Sequence, residues 1–513
     1  MNRNRKEMLY HQPPDQKASR RSQPIDKNRS EDCAKEEGHL PCPLYRKCGG
    51  CQLQNMSYPR QLQWKQRKVE KLLGKFGRVQ PIIGMETPYH YRNKVQAAFA
   101  LTQNKRIISG VYQSSTHRVV PVEHCMTEDQ KADEIIGTIR GMMHQFKLTP
   151  YNEDTGRGFL RHVLVKRGFS SNQIMVVLVT GTPVFPSKNH FVAALREKHP
   201  EITTILMNVN PYQTSMVLGE NEKVLYGDGT IEDILCGCVF RISAKSFYQI
   251  NPVQTEILYQ KAIAFAGLTG KETVIDAYCG IGTICLVAAK DAGQVIGVEV
   301  NRDAVKDAIA NAKRNGIKNA YFYHADAGRF MTEMAKEGQT AEVVMMDPPR
   351  AGSDLAFLSS LAALSPKRIV YISCNPETQE RDLSYLVQHG YQVKAIQPVD
   401  MFPHTNHVET VAVLSRKSAS KSFIPVSISP KDMGLSEEKE QPTYANIRDY
   451  VQKTHGMKVS TLYVAQMKAE CGLETQADRS GDKKQPKCPP EKREAILDAF
   501  RHFGLIGEDG TEE

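Results

Sequence analysis

The sequence predicts an α/β protein with a Rossmann-like domain in its second half and a mixed α+β domain before it. From residue 272 onward, short apolar runs alternate with helical segments, and the runs end 23, 27, 21 and 27 residues apart. Each interval has room for one strand, one crossover helix and two turns, as in the βα units of a parallel sheet. Because ligands bind at the carboxyl ends of such strands, we expect the end residues at one edge of the sheet. They are Asp276, Glu299, Asp326, Asp347 and Cys374.

Length and composition narrow the class of protein. A chain of 513 residues is too long for one hydrophobic core. No apolar run approaches the roughly 18 residues of a membrane span, and the N-terminus lacks the apolar segment of a secretory signal. We therefore expect a cytoplasmic protein, a monomer with no membrane partner. The net charge of +10 suits a phosphate-rich partner, although solubility alone also explains it.

The chain divides into segments of different composition. Polar, basic residues without an apolar period predict a disordered arm at the N-terminus, and a stretch rich in Ser, Pro and Lys predicts a linker near the C-terminus. Between them lie a Cys- and Gly-rich segment with a helix over 61–73, a β-rich region with helices, and the βα domain. The predicted order is a basic arm 1–41, a cysteine segment 42–89, a central domain 90–245, the βα domain 246–417, a linker 418–442 and a helical appendage 443–513.

A glycine turn opens the βα domain. The run DAYCGIGT follows the first predicted strand and precedes a helix predicted for 284–289, and Gly280 and Gly282 let the backbone approach a ligand closely. A dinucleotide fingerprint would have a third glycine where this chain has Cys285. Glu299 is placed to accept ribose hydroxyls, and Asp326 lies within reach of an adenine. Ribose and adenine without a pyrophosphate indicate S-adenosylmethionine; the alternative is a turn that serves packing alone.

A thiol and two carboxylates form the predicted reaction centre. Cys374 ends the strand RIVYIS, and the Asn-Pro pair after it stops that strand at the sheet edge, which favours a reactive thiol over a buried structural one. Asp347 begins the run DPPR. Glu409 precedes the apolar strand TVAVL and reaches the same edge if that strand joins the sheet; otherwise it is a solvated acid.

Twelve cysteines without an export signal are expected to be reduced, which raises the question of metal ligation. Three lie close together, and a distant fourth could complete a four-ligand site. The spacing leaves zinc and a 4Fe-4S cluster equally open, and it is not the spacing of radical enzymes. Cys33 lies outside the pattern, and the Cys236–Cys238 pair is expected to pack in a strand. The candidate metal ligands are Cys42, Cys48, Cys51 and Cys125.

The runs FYQIN, DAYCGIG, DPPRAG, YISCNP and FPHTNHVE occur in this order over residues 246–415, and together they resemble the RNA (uracil-5-)-methyltransferase family. The resemblance implies a nucleophile at Cys374 and a general base at Glu409. Such enzymes need a thiolate that adds to C6 of uracil and a carboxylate that removes the C5 proton after methylation. The residues implied for S-adenosylmethionine are Gln249, Tyr278, Glu299 and Asp347, to which the glycine turn adds Gly280, Gly282 and Asp326.

The resemblance to the 23S rRNA branch implies that the four clustered cysteines hold a 4Fe-4S cluster and that 23S rRNA is the substrate. A tRNA substrate and a non-enzymatic RNA-binding role are the alternatives; an adenine amino-methyltransferase would leave Cys374 and Glu409 without a role. The 41 residues before Cys42 are too few for the β-barrel found in many family members. RNA contacts are therefore expected from the basic arm, from residues 91–94 and from residues 157–167.

Overall fold

The computed structural model describes residues 42–113, 116–417, 442–471, 473 and 488–506. The predicted basic arm, Cys33 and nearly all of the predicted linker lie outside these ranges.

The N-terminal described segment packs on the βα domain. A short helix α1, Tyr45–Cys48, precedes α2, Tyr58–Leu73, which begins three residues before the predicted helix. The buried side chains of α2 recur every fourth residue and form one stripe along the helix. Residues after α2 form isolated bridges with the edge strand of the sheet in the βα domain, Val79 with Ile396 and Ile83 with Val399. The stripe consists of Gln61, Lys65, Val69 and Leu73.

The central domain is a seven-stranded sheet in the order β3-β2-β1-β4-β5-β6-β7, in which only β5 and β6 are parallel. Helices α3, Gln130–Gln145, and α4, Lys188–Lys198, pack with one face of the sheet in a single core. The strands are β1 Lys94–Leu101, β2 Ile107–Tyr112, β3 Val119–Pro121, β4 Leu160–Arg167, β5 Ile174–Thr180, β6 Ile202–Val209 and β7 Asn221–Tyr226.

A hairpin joins the two large domains. Its strands β8, Thr230–Leu235, and β9, Cys238–Ser243, share one core with the central sheet and with the βα domain. The Asn311 side chain accepts the N–H of Arg241 at 2.8 Å. Cys238 is buried in β9, as predicted. Cys236 is half-buried in the turn between the two strands, so the prediction of strand packing is wrong for that residue.

The second sheet has the order β12-β11-β10-β13-β14-β16-β15. Its first five strands are parallel, whereas β16 runs antiparallel to β14, and β15 runs antiparallel to β16. The predicted last strand therefore joins the sheet. The strands are β10 Thr273–Asp276, β11 Gln294–Glu299, β12 Ala320–His324, β13 Val343–Met346, β14 Arg368–Ser373, β15 Tyr391–Val399 and β16 Glu409–Arg416.

Crossover helices cover both faces of this sheet, and the predicted strand ends largely hold. Strands β10 and β11 end at Asp276 and Glu299, and Asp347 and Cys374 each directly follow a strand. Asp326 differs, because β12 stops two residues earlier and the Asp326 carboxylate instead caps the next helix by accepting the N–H of Arg329. The helices are α5 Pro252–Ala266, α6 Thr283–Ala288, α7 Arg302–Arg314, α8 Ala327–Lys336, α9 Leu355–Leu364 and α10 Pro376–Gln388.

The C-terminal helices form a core of their own. They are α11, Tyr444–His455, α12, Thr461–Glu470, and α13, Pro490–His502, within the predicted helical appendage. Ile447, Ile496 and Phe500 are among the buried residues of this core. None of the described helices is both long and apolar enough to cross a lipid bilayer.

Candidate active site

The glycine turn lies between β10 and α6. Gly280 and Gly282 have φ of +52° and +86°, conformations that favour glycine, and a Cβ on Gly282 would lie 3.2 Å from the Phe322 ring. No atom that the described residues contribute beyond the turn itself lies within 4 Å of a Cβ built on Gly280, so there is open space beside this glycine. The Glu299 carboxylate accepts the N–H of Gly280 at 3.1 Å and the N–H of Asn301 at 2.8 Å. A ligand's hydroxyl groups would meet a carboxylate that is already fixed in place.

The other predicted cofactor residues differ in their burial and in their position relative to this turn. Tyr278 is half-buried, with its hydroxyl 3.4 Å from the Ser353 hydroxyl, and burial raises its pKa to about 12. Asp326 is exposed and caps α8. Gln249 lies at the junction with the central domain, where its carbonyl accepts the Asn93 side-chain N–H at 3.2 Å. The structure thus places Glu299 at the end of β11, Tyr278 and Asp326 two residues beyond the ends of β10 and β12, and Gln249 at the domain boundary.

Asp276 is a candidate that the sequence analysis did not include among the site residues. It is fully buried, its Oδ2 accepts the Cys285 thiol at 3.2 Å, and its Oδ1 has no hydrogen-bond partner among the described residues. Burial raises its pKa to about 6. A buried oxygen without a partner is costly and is common at binding sites. In the sequence, its position at the end of the first predicted strand of the βα domain could have identified it as a site residue.

The antiparallel pairing of β14 with β16 brings Cys374 and Glu409 together. Ser373 pairs with Thr410, so the next residue on each strand is Cys374 on one and Glu409 on the other. The Thr410 hydroxyl lies 3.3 Å from the Ser373 carbonyl and 2.6 Å from Oε1 of Gln379, an acceptor on α10. The strand ends and the helix behind them are therefore tied together.

Asn375 connects the thiol to the DPPR run. Its Oδ1 accepts the N–H of Glu377 at 3.2 Å, and its Nδ2 donates to the Arg350 carbonyl at 3.2 Å. The Arg350 guanidinium is close enough to the thiol to lower the pKa of Cys374. Arg350 is thus a second group whose role the sequence analysis did not assign.

The acidic groups of Cys374, Glu409 and Asp347 lie close enough for one to raise the pKa of another. Burial and, to a lesser extent, the carboxyl groups of Glu409 and Asp347 raise the pKa of Cys374 to about 11, although Arg350 acts to lower it. Glu409 is 4% exposed, and burial together with Asp347 holds its pKa well above the usual range. Burial and the Asp276 carboxyl raise the pKa of Asp347 to about 7. A cation near these groups would favour the charged form of each group.

The four candidate metal ligands are half-buried free thiols. Burial raises the pKa of Cys51 to about 11, and the thiols of Cys48 and Cys42 contribute to that rise. Burial raises the pKa of Cys125 to about 12, and the nearby Glu128 carboxylate helps to raise the pKa of both Cys125 and Cys48. Within the described ranges, no three His, Cys, Asp or Glu side chains form a group that could hold a metal ion. The donors suit a thiolate site, but they are not assembled into one.

The prediction that residues 91–94 and 157–167 supply RNA contacts is wrong for most of their side chains. Arg161 is 2% exposed, with its Nε 2.6 Å from the Glu153 carboxylate. Lys166 is buried and donates to the carbonyls of Ser243 and Ser246, both at 2.9 Å. Tyr91 is also buried. The alternating basic pattern marks internal ion pairs and hydrogen bonds.

Comparisons with known proteins cover the same region. A family model described as tRNA (Uracil-5-)-methyltransferase matches residues 57–417. An "Uncharacterized RNA methyltransferase" of Halalkalibacterium halodurans is 43% identical over 383 residues, which cover 74% of this chain and 83% of that protein. An "Uncharacterized RNA methyltransferase" of Clostridium acetobutylicum is 44% identical over 382 residues, which cover 73% of this chain and 83% of that protein.

A solved structure is similar over much of the chain. It is the Pyrococcus abyssi tRNA (uracil-54, C5)-methyltransferase in complex with S-adenosyl-L-homocysteine. Its TM-score is 0.61 and its sequence identity 28%, over 71% of this chain and 85% of that one.

The raised pKa of Asp347 predicts how cofactor binding depends on pH. We expect the carboxyl group to be largely neutral below pH 7. If Asp347 contacts the cofactor, as the sequence predicts, its carboxylate should attract the sulfonium of S-adenosylmethionine above that pH. We expect calorimetry to show affinity for the sulfonium roughly three- to tenfold weaker at pH 6 than at pH 8. S-adenosylhomocysteine, whose sulfur is neutral, and the variant Asp347→Asn should show much smaller changes. Equal pH dependence for the two ligands would contradict this assignment.

Proposed function

The chain belongs to the tRNA (uracil-5-)-methyltransferase family, and on that premise we propose that it methylates C5 of a uridine in RNA. It is an RNA methyltransferase that uses S-adenosylmethionine. The observation that carries the uridine assignment is the adjacent placement of Cys374 and Glu409 at the ends of β14 and β16. A thiol beside a carboxyl group is the minimum set for C5 methylation of uracil, whereas amino-group methylation needs neither.

The proposed reaction begins when the Cys374 thiol passes its proton to water and its sulfur adds to C6 of the flipped base. The resulting enolate carbon C5 displaces the methyl group from the sulfonium, leaving S-adenosylhomocysteine. Glu409 then removes the C5 proton, the C5–C6 double bond re-forms, and the thiolate leaves. Because the pKa values of Cys374 and Glu409 are raised, we propose that Arg350 and the bound sulfonium favour the charged forms that the reaction needs.

We propose 23S rRNA as the substrate, because the cysteine segment resembles that of the rRNA branch. A tRNA substrate is the second candidate, and it is favoured by the similarity to the Pyrococcus abyssi enzyme. In either case, we propose that Gln249, Tyr278, Glu299 and Asp347 contact the cofactor, together with the glycine turn and Asp326.

Replacing Cys374 with Ala removes the proposed nucleophile. We expect methylation to fall roughly 10³-fold or more, while affinity for S-adenosylhomocysteine stays nearly unchanged, because the side chain follows β14 rather than lining the glycine turn. The measurement is transfer of a labelled methyl group to 23S rRNA and tRNA transcripts assayed separately. Cys238→Ala, a buried thiol in β9, is the matched control. Normal methylation by Cys374→Ala would refute the mechanism, and methylation of tRNA alone would refute the rRNA assignment.

We also propose that Cys42, Cys48, Cys51 and Cys125 hold a 4Fe-4S cluster. This proposal is supported by four half-buried free thiols, among which Cys42 acts electrostatically on Cys48, and both act on Cys51. Such a cluster would supply structural cross-linking between residues 42–51 and the central domain, and no reaction step passes through it.

Anaerobically purified protein should then contain about four iron and four sulfide ions per chain. Cys51→Ser and Cys125→Ser should lose the iron, and Cys236→Ser should keep it. A colourless, iron-free protein with one zinc ion per chain would show that the site is a zinc site.

A further inference from the structure

The loop 400–408, which leads directly into Glu409, is held by the N-terminal segment. The Lys65 ammonium lies 2.5 Å from the Asp400 carboxylate, with both side chains fully buried, and it also donates to the Phe402 carbonyl at 2.9 Å. The Tyr58 hydroxyl donates to the second Asp400 oxygen at 2.9 Å. A buried pair of this kind is costly to break, because either charge left alone would be buried without a partner. One end of the loop is thereby fixed to α2.

His404, in the middle of the loop, is held on several sides. The backbone N–H of His404 donates to Oε1 of Gln61 at 2.9 Å, and this contact fixes the orientation of the Gln61 amide. Nε2 of Gln61 then donates to the ring Nδ1 of His404 at 3.1 Å. The proton on the His404 ring therefore belongs on Nε2, which lies 2.9 Å from the Pro88 carbonyl. The ring also stacks on Tyr89, with centroids 4.9 Å apart.

The backbone of His404 shows that these contacts determine the loop conformation. Its φ is +68°, a conformation uncommon outside glycine, which persists only where the surroundings enforce it. The residues after Cys51 add two contacts: the Leu53 N–H donates to the His404 carbonyl at 2.9 Å, and the Gln52 side chain accepts the Asn406 N–H at 3.3 Å.

We infer that Gln61 and Gln52 are positioning residues, which act through the loop 400–408 to hold the Glu409 carboxylate where it can reach the C5 proton. This inference rests on the proposed role of Glu409 as the base. Cys374 is carried by β14 and does not depend on these contacts, so addition and methyl transfer should be insensitive to them. Proton removal requires close alignment of donor and acceptor, and a displacement of about 1 Å can slow such a step up to 100-fold.

The test uses the full-length protein and follows the covalent enzyme–RNA adduct after one methyl transfer. Gln61→Leu should slow decay of the methylated adduct roughly tenfold or more, so that the adduct is seen on denaturing gels, while the rate of methyl transfer changes less than about threefold. Gln52→Ala should show the same defect to a smaller degree. Since Gln52 is exposed, its variant keeps the test valid if Gln61→Leu does not fold.

Two reference variants make the outcome decisive. Gln66→Leu changes the same residue type on the same helix, but its contacts are with Glu70, Gln80 and Ile82 rather than with the loop; it should turn over without adduct. Glu409→Gln should accumulate adduct. If it does, and Gln61→Leu and Gln52→Ala show no adduct, the positioning inference is wrong. If Glu409→Gln shows none, the assignment of the base fails and the inference fails with it.

Discussion

The antiparallel pairing of β16 with β14 is the constraint on which the rest of the site depends. A parallel sheet alone would place Cys374 at its edge with a neighbouring Asp347, but it would provide no second carboxylate on the far side of the thiol. Because β16 returns along β14 with Ser373 opposite Thr410, the chain enters the sheet at Glu409 beside Cys374. Contacts that hold β16 and the loop before it therefore bear on the position of Glu409.

The electrostatics of this centre suit a site that becomes active only when its ligands are bound. Burial and mutual repulsion favour the neutral forms of Cys374, Glu409 and Asp347, with Arg350 as the opposing charge. A sulfonium adds a second positive charge, so cofactor binding and ionisation of the site favour each other. A thiol that stays protonated in the absence of cofactor is also protected from wasteful oxidation, since the thiolate is the reactive form.

Local pattern predicted much of the fold but not the long-range contacts. The period of the apolar runs located Asp276, Glu299 and Cys374 at strand ends, because strand and helix lengths are set locally. The sequence could place Glu409 at the same edge only on condition that its strand joined the sheet. Arg161 and Lys166 were assigned to RNA because basic residues among aromatic ones suit phosphate contact and base stacking. In the structure, backbone carbonyls and Glu153 satisfy them in the interior instead. Asp400, the partner of Lys65, lies 335 residues away, beyond any local signal.

The central claim is that the sulfur of Cys374 bonds to the uracil ring while C5 receives the methyl group. RNA containing 5-fluorouridine tests it most directly, because the fluorine on C5 cannot be removed as a proton is and the intermediate persists. With S-adenosylmethionine present, the account predicts a stable complex whose mass includes enzyme, RNA and one methyl group, with the RNA attached to the peptide that contains Cys374. Attachment to another cysteine, or no covalent complex under conditions in which ordinary uridine is methylated, would contradict it.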